Sequence, residues 1–491
     1  MTKKWLAFDV GTSGVKAALV DHTGQVLRSV TREYATRTVS GGIVEQNAGD
    51  WWAAACAASR ALDAYGDVDA IALTGQMQDV ILIDANGDPV YPVILYSDTR
   101  AHEEIETLTA QVGTEQLRDW TGNLQDAGSL LGKLLWLQKH APDALKASAW
   151  LLLGAADFIA YHMTGVPVTD TTTASTTGLM NIATRSALEQ TAFAAMGLED
   201  CARLLPPMLS GGQYIGPLGA SAAKALGLQA GVAVHHGPGD AGAATIGAGC
   251  GEIGSAYAYL GTSGWIAFTA AEQAQPDRGV ITLAHPDPAR YIQVAPLLTA
   301  GGNLEWVRDL FGSDTYEDLI SDALRVSPSS LLYLPYLNGE RSPFSDPHAR
   351  GAFIGLQAGM GKSVLYRAVL EGVVYAYRHA LDALAPTLKN AITLTGGGTR
   401  SKLWCQLFAD IIQQPVAIQA EPEHVGVRGA ILAAQVASGE RASFAAEDFS
   451  PIEVVLSPDT THAQHFDRQY HIFRDAYPAL KAIFSRLAST S

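Results

Sequence analysis

The sequence predicts two similar α/β domains facing each other across a central cleft, and three observations carry that expectation. The chain has 491 residues, more than one hydrophobic core usually organises. Its apolar fraction of 48% is ample for two cores. A strand, a Gly-Thr-Ser-Gly turn and a second strand open the chain, and the same succession returns about 250 residues later. A four-residue identity is weak evidence alone; its placement between two strands in both copies makes an internal duplication the better explanation. One such hairpin is then expected on each wall, with ligands at the domain interface.

The first forty residues read as an antiparallel meander: strand 5–10, turn 11–14, strand 15–20, turn 22–25 and strand 26–34. A helix is expected at about 49–64, with Asn47 or Asp50 as N-cap. Strand 70–74 leads to the polar tetrad Gln76-Met77-Gln78-Asp79. A hairpin turning at Asn86-Gly87 then runs to Ser97-Asp98-Thr99-Arg100, and 102–165 reads as mainly helical. The pattern restarts with strand 255–260, turn Gly261-Thr262-Ser263-Gly264 and strand 265–269.

Composition excludes several partners. A formal charge of −16 is the wrong sign for gripping nucleic-acid backbones, although local N–H groups and a cation can still hold phosphates in an acidic protein. Met1–Lys4 leads straight into a strand without a secretory h-region, and no apolar run is long enough to span a membrane, so a cytoplasmic protein is expected. Cys56, Cys201, Cys250 and Cys405 fit no zinc or redox spacing and read as buried thiols. Oligomeric state is left open, a homodimer included.

Asp9-x-Gly11-Thr12-Ser13-Gly14-x-Lys16 has the makings of a phosphate cradle. Its glycines let the backbone approach a ligand, Thr12 and Ser13 add hydroxyls, and Lys16 adds charge. A strand follows where a Walker A loop would need a helix. Asp9, at the strand end, could hold a hydrated Mg²⁺; the competing reading is a plain hairpin turn with Asp9 as a local acceptor. Tyr259 stands at the place of Asp9 in the second copy, so the two walls are not equivalent.

Strand Val234-His235-His236 runs into Gly237-Pro238-Gly239-Asp240-Ala241, a tight corner presenting a carboxylate suited to act as general base, or alternatively an N-cap. His235 and His236 point to opposite faces and read as core or supporting residues rather than a metal pair. Gly396-Gly397-Gly398-Thr399-Arg400-Ser401, between a strand and a helix, would put backbone and a helix N-terminus against a nucleotide, with Ser401 as cap or ligand; Ala300-Gly301-Gly302-Asn303-Leu304-Glu305-Trp306 opens another helix with close-approach glycines and reads equally as a packing feature.

Taken in order, these pieces resemble the FGGY carbohydrate kinases of the actin, Hsp70 and sugar-kinase superfamily, essentially from end to end. The most specific stretch is Gly351-x-Phe353-x-Gly355-Leu356 with Leu365-x-x-Ala368-Val369-Leu370-Glu371; Lys133-Leu134-x-Trp136 and Gly396 to Asp410 also match. Val364 and Leu130 depart from the family pattern. The resemblance implies two ribonuclease H-like domains, 1–245 and 246–491, and transfer of a phosphoryl group from ATP, with Mg²⁺, to a small sugar or polyol. It implies Asp240 as base, Asp9 for the metal, Gly11, Thr12, Ser13 and Lys16 at the first phosphate loop, and Gly261 and Thr262 at the second. Gly301, Glu305, Gly397, Gly398 and Ser401 would surround the nucleotide, and Gln76, Met77, Gln78, Asp79, Asp98, Arg100 and Ala241 the sugar.

Within the family the chain is most similar to xylulokinases, on Gln76-Met77 and on the run Leu334 to Pro343. It carries Gln78-Asp79 where His-Gly is usual and Asp240-Ala241 where Asp-Asn is usual. A ketopentose such as D-xylulose is the expected substrate, with gluconate, ribulose, a polyol or a deoxysugar as alternatives. A non-catalytic ATP clamp of the actin or Hsp70 kind is disfavoured by the sugar-side segments.

Overall fold

The computed structural model describes residues 3–274, 279–312, 315–384, 386–445 and 448–488. Its first sheet has the strand order Gln213–Pro217, Ala233–His236, Ala70–Gly75, Lys4–Val10, Gly14–Asp21, Val26–Glu33. Its second runs Ile452–Leu456, Val416–Gln419, Ile392–Thr395, Ala256–Leu260, Gly264–Ala270, Tyr291–Leu297, with Ile281–Ala284 added at the edge. In each sheet the opening strand pairs antiparallel with its hairpin partner and parallel with a strand from much later in the chain. The parallel neighbours continue with Ala233–His236 in the first sheet and Val416–Gln419 in the second. The duplication expected from one tetrapeptide is thus visible in strand order and pairing sense: both halves have the ribonuclease H-like arrangement of the superfamily.

Each half lends a helix to the other. Helix Asp240–Gly247 follows the first sheet, yet its Ala241 and Ala244 pack with Tyr257, Tyr259 and Trp265 of the second. Helix Val425–Ala437 follows the second sheet, yet its Val427, Ala430 and Ile431 pack on Trp5, Ala7, Ala70 and Ala72 of the first. The two helices cross where a Cβ on Gly247 would lie 1.9 Å from the Val425 carbonyl oxygen, and one on Gly429 1.8 Å from that of Ala243. Only glycine allows so close an approach.

Local expectations fare well where short-range chemistry decides. Asn47 caps helix Ala48–Leu62, its Oδ1 accepting from Gly49 N at 3.0 Å. The four cysteines are buried and free. The segment 102–165 is mainly helical, as expected, and also holds one strand, Trp150–Gly154, paired with Met77–Ile83; a short apolar run does not distinguish strand from helix by periodicity. The hairpin reading changes. Beyond Asn86-Gly87 the hairpin leaves only the bridge of Ile83 to Pro89 and the pairing of Val80 with Ile94, since Pro89 and Pro92 have no N–H to donate to a ladder. Among the described residues no helix is long and apolar enough to cross a membrane.

Candidate active site

Parallel strands share a carboxyl end, and the chemistry-bearing residues gather there. Asp9 ends Lys4–Val10, Gln76 and Met77 follow Ala70–Gly75, and Asp240 follows Ala233–His236 through a three-residue turn. On the other wall, Gly261 and Thr262 follow Ala256–Leu260, and Gly396 to Ser401 follow Ile392–Thr395. This is where open α/β sheets hold ligands.

The two Gly-Thr-Ser-Gly turns are wired alike. In the first, the Gly11 carbonyl accepts from Tyr34 Oη, that of Thr12 from Gln46 Nε2 at 2.7 Å, that of Ser13 from Tyr34 N and that of Gly14 from Gly11 N. In the second, Gly261 and Thr262 carbonyls accept from the N–H groups of Ala300, Gly301 and Gly302, and the Ser263 carbonyl accepts from Gly261 N. With the carbonyls tied back, the N–H groups of Thr12, Ser13, Thr262 and Ser263 meet no acceptor among the described residues. Both turns therefore present donors, the requirement for gripping phosphate oxygens. Tyr377 Oη reinforces the second from below, donating to the Tyr259 carbonyl at 2.5 Å from within the long helix Lys362–Leu384.

Asp9 is half-buried and no hydrogen bond reaches its carboxylate among the described residues; desolvation raises its pKa and the Lys16 ammonium opposes the rise. Gly426, in the first turn of helix Val425–Ala437, lies so near that a Cβ there would stand 2.4 Å from Asp9 Oδ2. The positive end of that helix therefore faces the carboxylate. Asp240 opens its own helix, and its Oδ1 accepts from Ala241 N at 2.7 Å. Desolvation, and then the charge of Asp9, push its pKa up to about 7. A carboxyl raised in this way beside a second one marks a place where a proton or a cation is welcome. A hard divalent cation suits the donor set: Asp9 offers an unpaired carboxylate, and Mg²⁺ binds oxygens and keeps its waters.

Several of the expected site residues also have partners within the protein. The Lys16 ammonium donates to the Glu423 carbonyl, so Lys16 ties the first wall to the second half of the chain. Gly301 donates to Gly261 and its missing Cβ lets the helix sit on the second loop, which makes it a packing glycine there. Gly397 has open space where a Cβ would be, whereas a Cβ on Gly398 would meet Trp404 and Leu260. Ser401 caps helix Lys402–Ile412 through Trp404 N, and Glu305 lies half-exposed near Arg308.

On the sugar side, Gln76 Nε2 donates to Gln46 Oε1 at 3.1 Å, and Gln46 also takes the Trp51 indole N–H. Gln46 thereby joins the tetrad to the first Gly-Thr-Ser-Gly turn, a link with no short-range sequence signal. Met77 packs with Ala241 in the apolar cluster between the halves. Gln78 has φ +64, a left-handed conformation uncommon outside glycine, and donates to the Gly128 carbonyl at 3.0 Å. Asp79 is fully buried; it accepts from Tyr96 N, and burial holds its pKa well up against the opposing Lys133 charge. Asp98 and Arg100 form a closed network: Arg100 binds both oxygens of Asp98 and one of Glu45, while Asp98 also accepts from Val44 N. The Lys133-Leu134-x-Trp136 segment braces this loop, with Lys133 donating to the Leu95 carbonyl at 2.7 Å and Trp136 stacked beneath Arg100.

Models of the N-terminal and C-terminal domains of the FGGY family of carbohydrate kinases match residues 4–247 and 256–438. The chain belongs to the FGGY family. It is similar to the xylulose kinase of Escherichia coli K12, 33% identical with 97% of this chain and 99% of the relative covered. Among solved structures it is similar to the ligand-bound xylulose kinase of Lactobacillus acidophilus, with TM-score 0.92, 26% identity and coverage of 99% and 100%. The gluconate kinase of the same organism also gives TM-score 0.92, at 25% identity and the same coverage. As an FGGY carbohydrate kinase, the chain is an ATP-dependent sugar kinase, and the cleft between its two donor loops is the candidate site of phosphoryl transfer.

Proposed function

We propose that this kinase phosphorylates a ketopentose of the D-xylulose type, with Asp240 as general base and Asp9 organising Mg²⁺. The observation that carries the assignment is the pair of half-buried carboxyls, Asp9 and Asp240, at the carboxyl ends of parallel strands, with desolvation and then the charge of Asp9 raising the pKa of Asp240 to about 7. A base of that strength matches proton abstraction at neutral pH.

Asp240 takes the proton of the sugar hydroxyl as the oxygen attacks the γ-phosphoryl group, and ADP leaves. The Thr12, Ser13, Thr262 and Ser263 N–H groups hold phosphate oxygens, so the charge spread over the transferring group is met by donors already in place. Mg²⁺, when bound, neutralises phosphate charge; Asp9 would hold it through water. Met77 and Ala241 supply the apolar side of the sugar site, and Gln76, fixed by Gln46, a polar one.

Two measurements test the reading. A coupled ADP-release assay across ketopentoses, aldonates, polyols and deoxysugars is expected to give its highest kcat/KM with D-xylulose; a better substrate in another class replaces that sugar while leaving the kinase reading intact. Asp9→Asn is expected to raise the Mg²⁺ concentration for half-maximal rate about 10–100-fold and to lower turnover, in a protein that still folds. An unchanged Mg²⁺ titration at unchanged rate removes Asp9 from the mechanism.

A further inference from the structure

We propose that His236 is a positioning residue for Asp240, acting as an imidazolium that clamps the turn from which the base projects. This rests on the assignment of Asp240 as base. His236 is fully buried at the end of strand Ala233–His236. Its Nε2 lies 2.8 Å from Asp157 Oδ1, and its Nδ1 lies 2.8 Å from the carbonyl oxygen of Gly237, the first residue of the turn. A carbonyl oxygen only accepts, so Nδ1 carries a proton; an ionised carboxylate only accepts, so Nε2 carries the other. The ring is therefore charged.

The groups facing it come from two further elements. Asp157, on helix Ala155–Thr164, holds its second oxygen on the N–H groups of Leu153 and Gly154. Asp170, capping helix Thr171–Ala174, accepts from Thr172 N, Thr173 N and Thr173 Oγ1. The ligand atoms of Asp157, Asp170 and His236 lie within 4.8 Å of one another, a spacing that would suit a metal. Every one of these carboxylate oxygens already accepts a hydrogen bond from the protein and both ring nitrogens are committed, so the imidazolium fills the cation's role itself.

The cluster reaches the base by two routes. Mechanically, the turn carbonyls are each held: Gly237 by His236, Pro238 by Thr74 Oγ1 at 2.8 Å, and Gly239 by Ala243 N. Thr173, bonded to Asp170, packs against Gly239 so tightly that a Cβ there would lie 2.5 Å from its Oγ1. Electrostatically, Asp170 raises the pKa of Asp240 as well as that of His236. A neutral imidazole has one N–H for two acceptors and must release either the turn or Asp157.

Two near-isosteres separate the two bonds. In His236→Gln the amide nitrogen takes the place of Nε2, keeping the donor to Asp157 and losing the clamp on Gly237; in His236→Asn it takes the place of Nδ1, keeping the clamp. His236→Gln is expected to lose roughly ten- to a hundredfold in kcat with the KM for ATP unchanged. His236→Asn is expected to recover most of that loss. The unmodified enzyme is expected to lose kcat as pH rises through the elevated pKa of His236, and His236→Asn to lack that decline, because its amide does not titrate. A wild-type kcat that shows no decline with rising pH up to the pH at which the protein unfolds overturns the proposal without any variant. So does a His236→Asn enzyme as impaired as His236→Gln, or a His236→Gln enzyme with wild-type kcat. Asp240→Asn is measured beside them: if it keeps normal turnover, the base assignment itself fails; if it is crippled while both His236 variants behave as wild type, only the positioning role fails.

Discussion

Asp240→Asn is expected to lower sugar-dependent ADP release by about 10²–10⁴-fold, which corresponds to roughly 3–5 kcal/mol of barrier, while ATP binding stays near the wild-type value. The amide keeps the size of the carboxylate and can still accept from Ala241 N, but it cannot take a proton from the attacking hydroxyl. In the proposed mechanism the phosphate donors lie on the two turns, so nucleotide affinity has no reason to change. pH supplies a second signature. The folded-state pKa of Asp240 is raised to about 7, so the base is protonated below that pH and kcat/KM should fall there. The raised pKa also bears on stability. A raised carboxyl contributes stability that is fully present below its unfolded pKa and is lost as pH rises through about 7. Above that pH the wild-type protein carries a partly desolvated charge that Asn lacks, and each tenfold change in proton affinity between folded and unfolded chains is worth about 1.4 kcal/mol. Asp240→Asn should therefore melt higher than wild type at alkaline pH while being far slower. Intact nucleotide binding with near-normal turnover defeats the assignment, and a lower melting point at alkaline pH defeats the raised pKa.

Gly429→Ala is expected to cost about 1–3 kcal/mol or more of stability and to reduce activity, although residue 429 touches no substrate in this reading. The added Cβ would stand 1.8 Å from the Ala243 carbonyl oxygen, so helices Asp240–Gly247 and Val425–Ala437 must move apart. Each helix belongs to one half by sequence and packs on the other half's sheet, so parting them loosens both cores. The two helices also open at the chemistry, the first with Asp240 and the second with Gly426 against Asp9. Gly361→Ala is the control: a Cβ there meets nothing within 4 Å, and the substitution should leave melting and rate unchanged. Equal behaviour of the two alanine variants would remove the helix crossing from the account.

The sequence by itself determined what depends on neighbours along the chain. The Gly-Thr-Ser-Gly hairpins are legible because glycine, hydroxyl residues and flanking apolar runs encode their own turn. Asn47 as a cap, Ser401 at the head of a helix, and the corner presenting Asp240 are legible for the same reason: the bonds that make them span only a few residues. Family membership follows from many such local pieces in one order. The tertiary structure alone decided what depends on residues far apart in the chain. Lys16 has the composition of a phosphate ligand, but the fold delivers Glu423 to it. Gln46 and Tyr34 carry no motif, yet they turn the carbonyls of the first loop away from the cleft. Asp98 and Arg100 look like sugar ligands in one dimension, and Glu45 and Val44 close them into a buried network in three. His236 has the sharpest dependence of this kind. Its strand predicts only which face it takes; its charge is decided by Asp157, brought from another helix, and by a carbonyl that exists only once the turn has formed. A buried group's protonation is set by the acceptors that surround it in space, and spacing along the chain does not encode them.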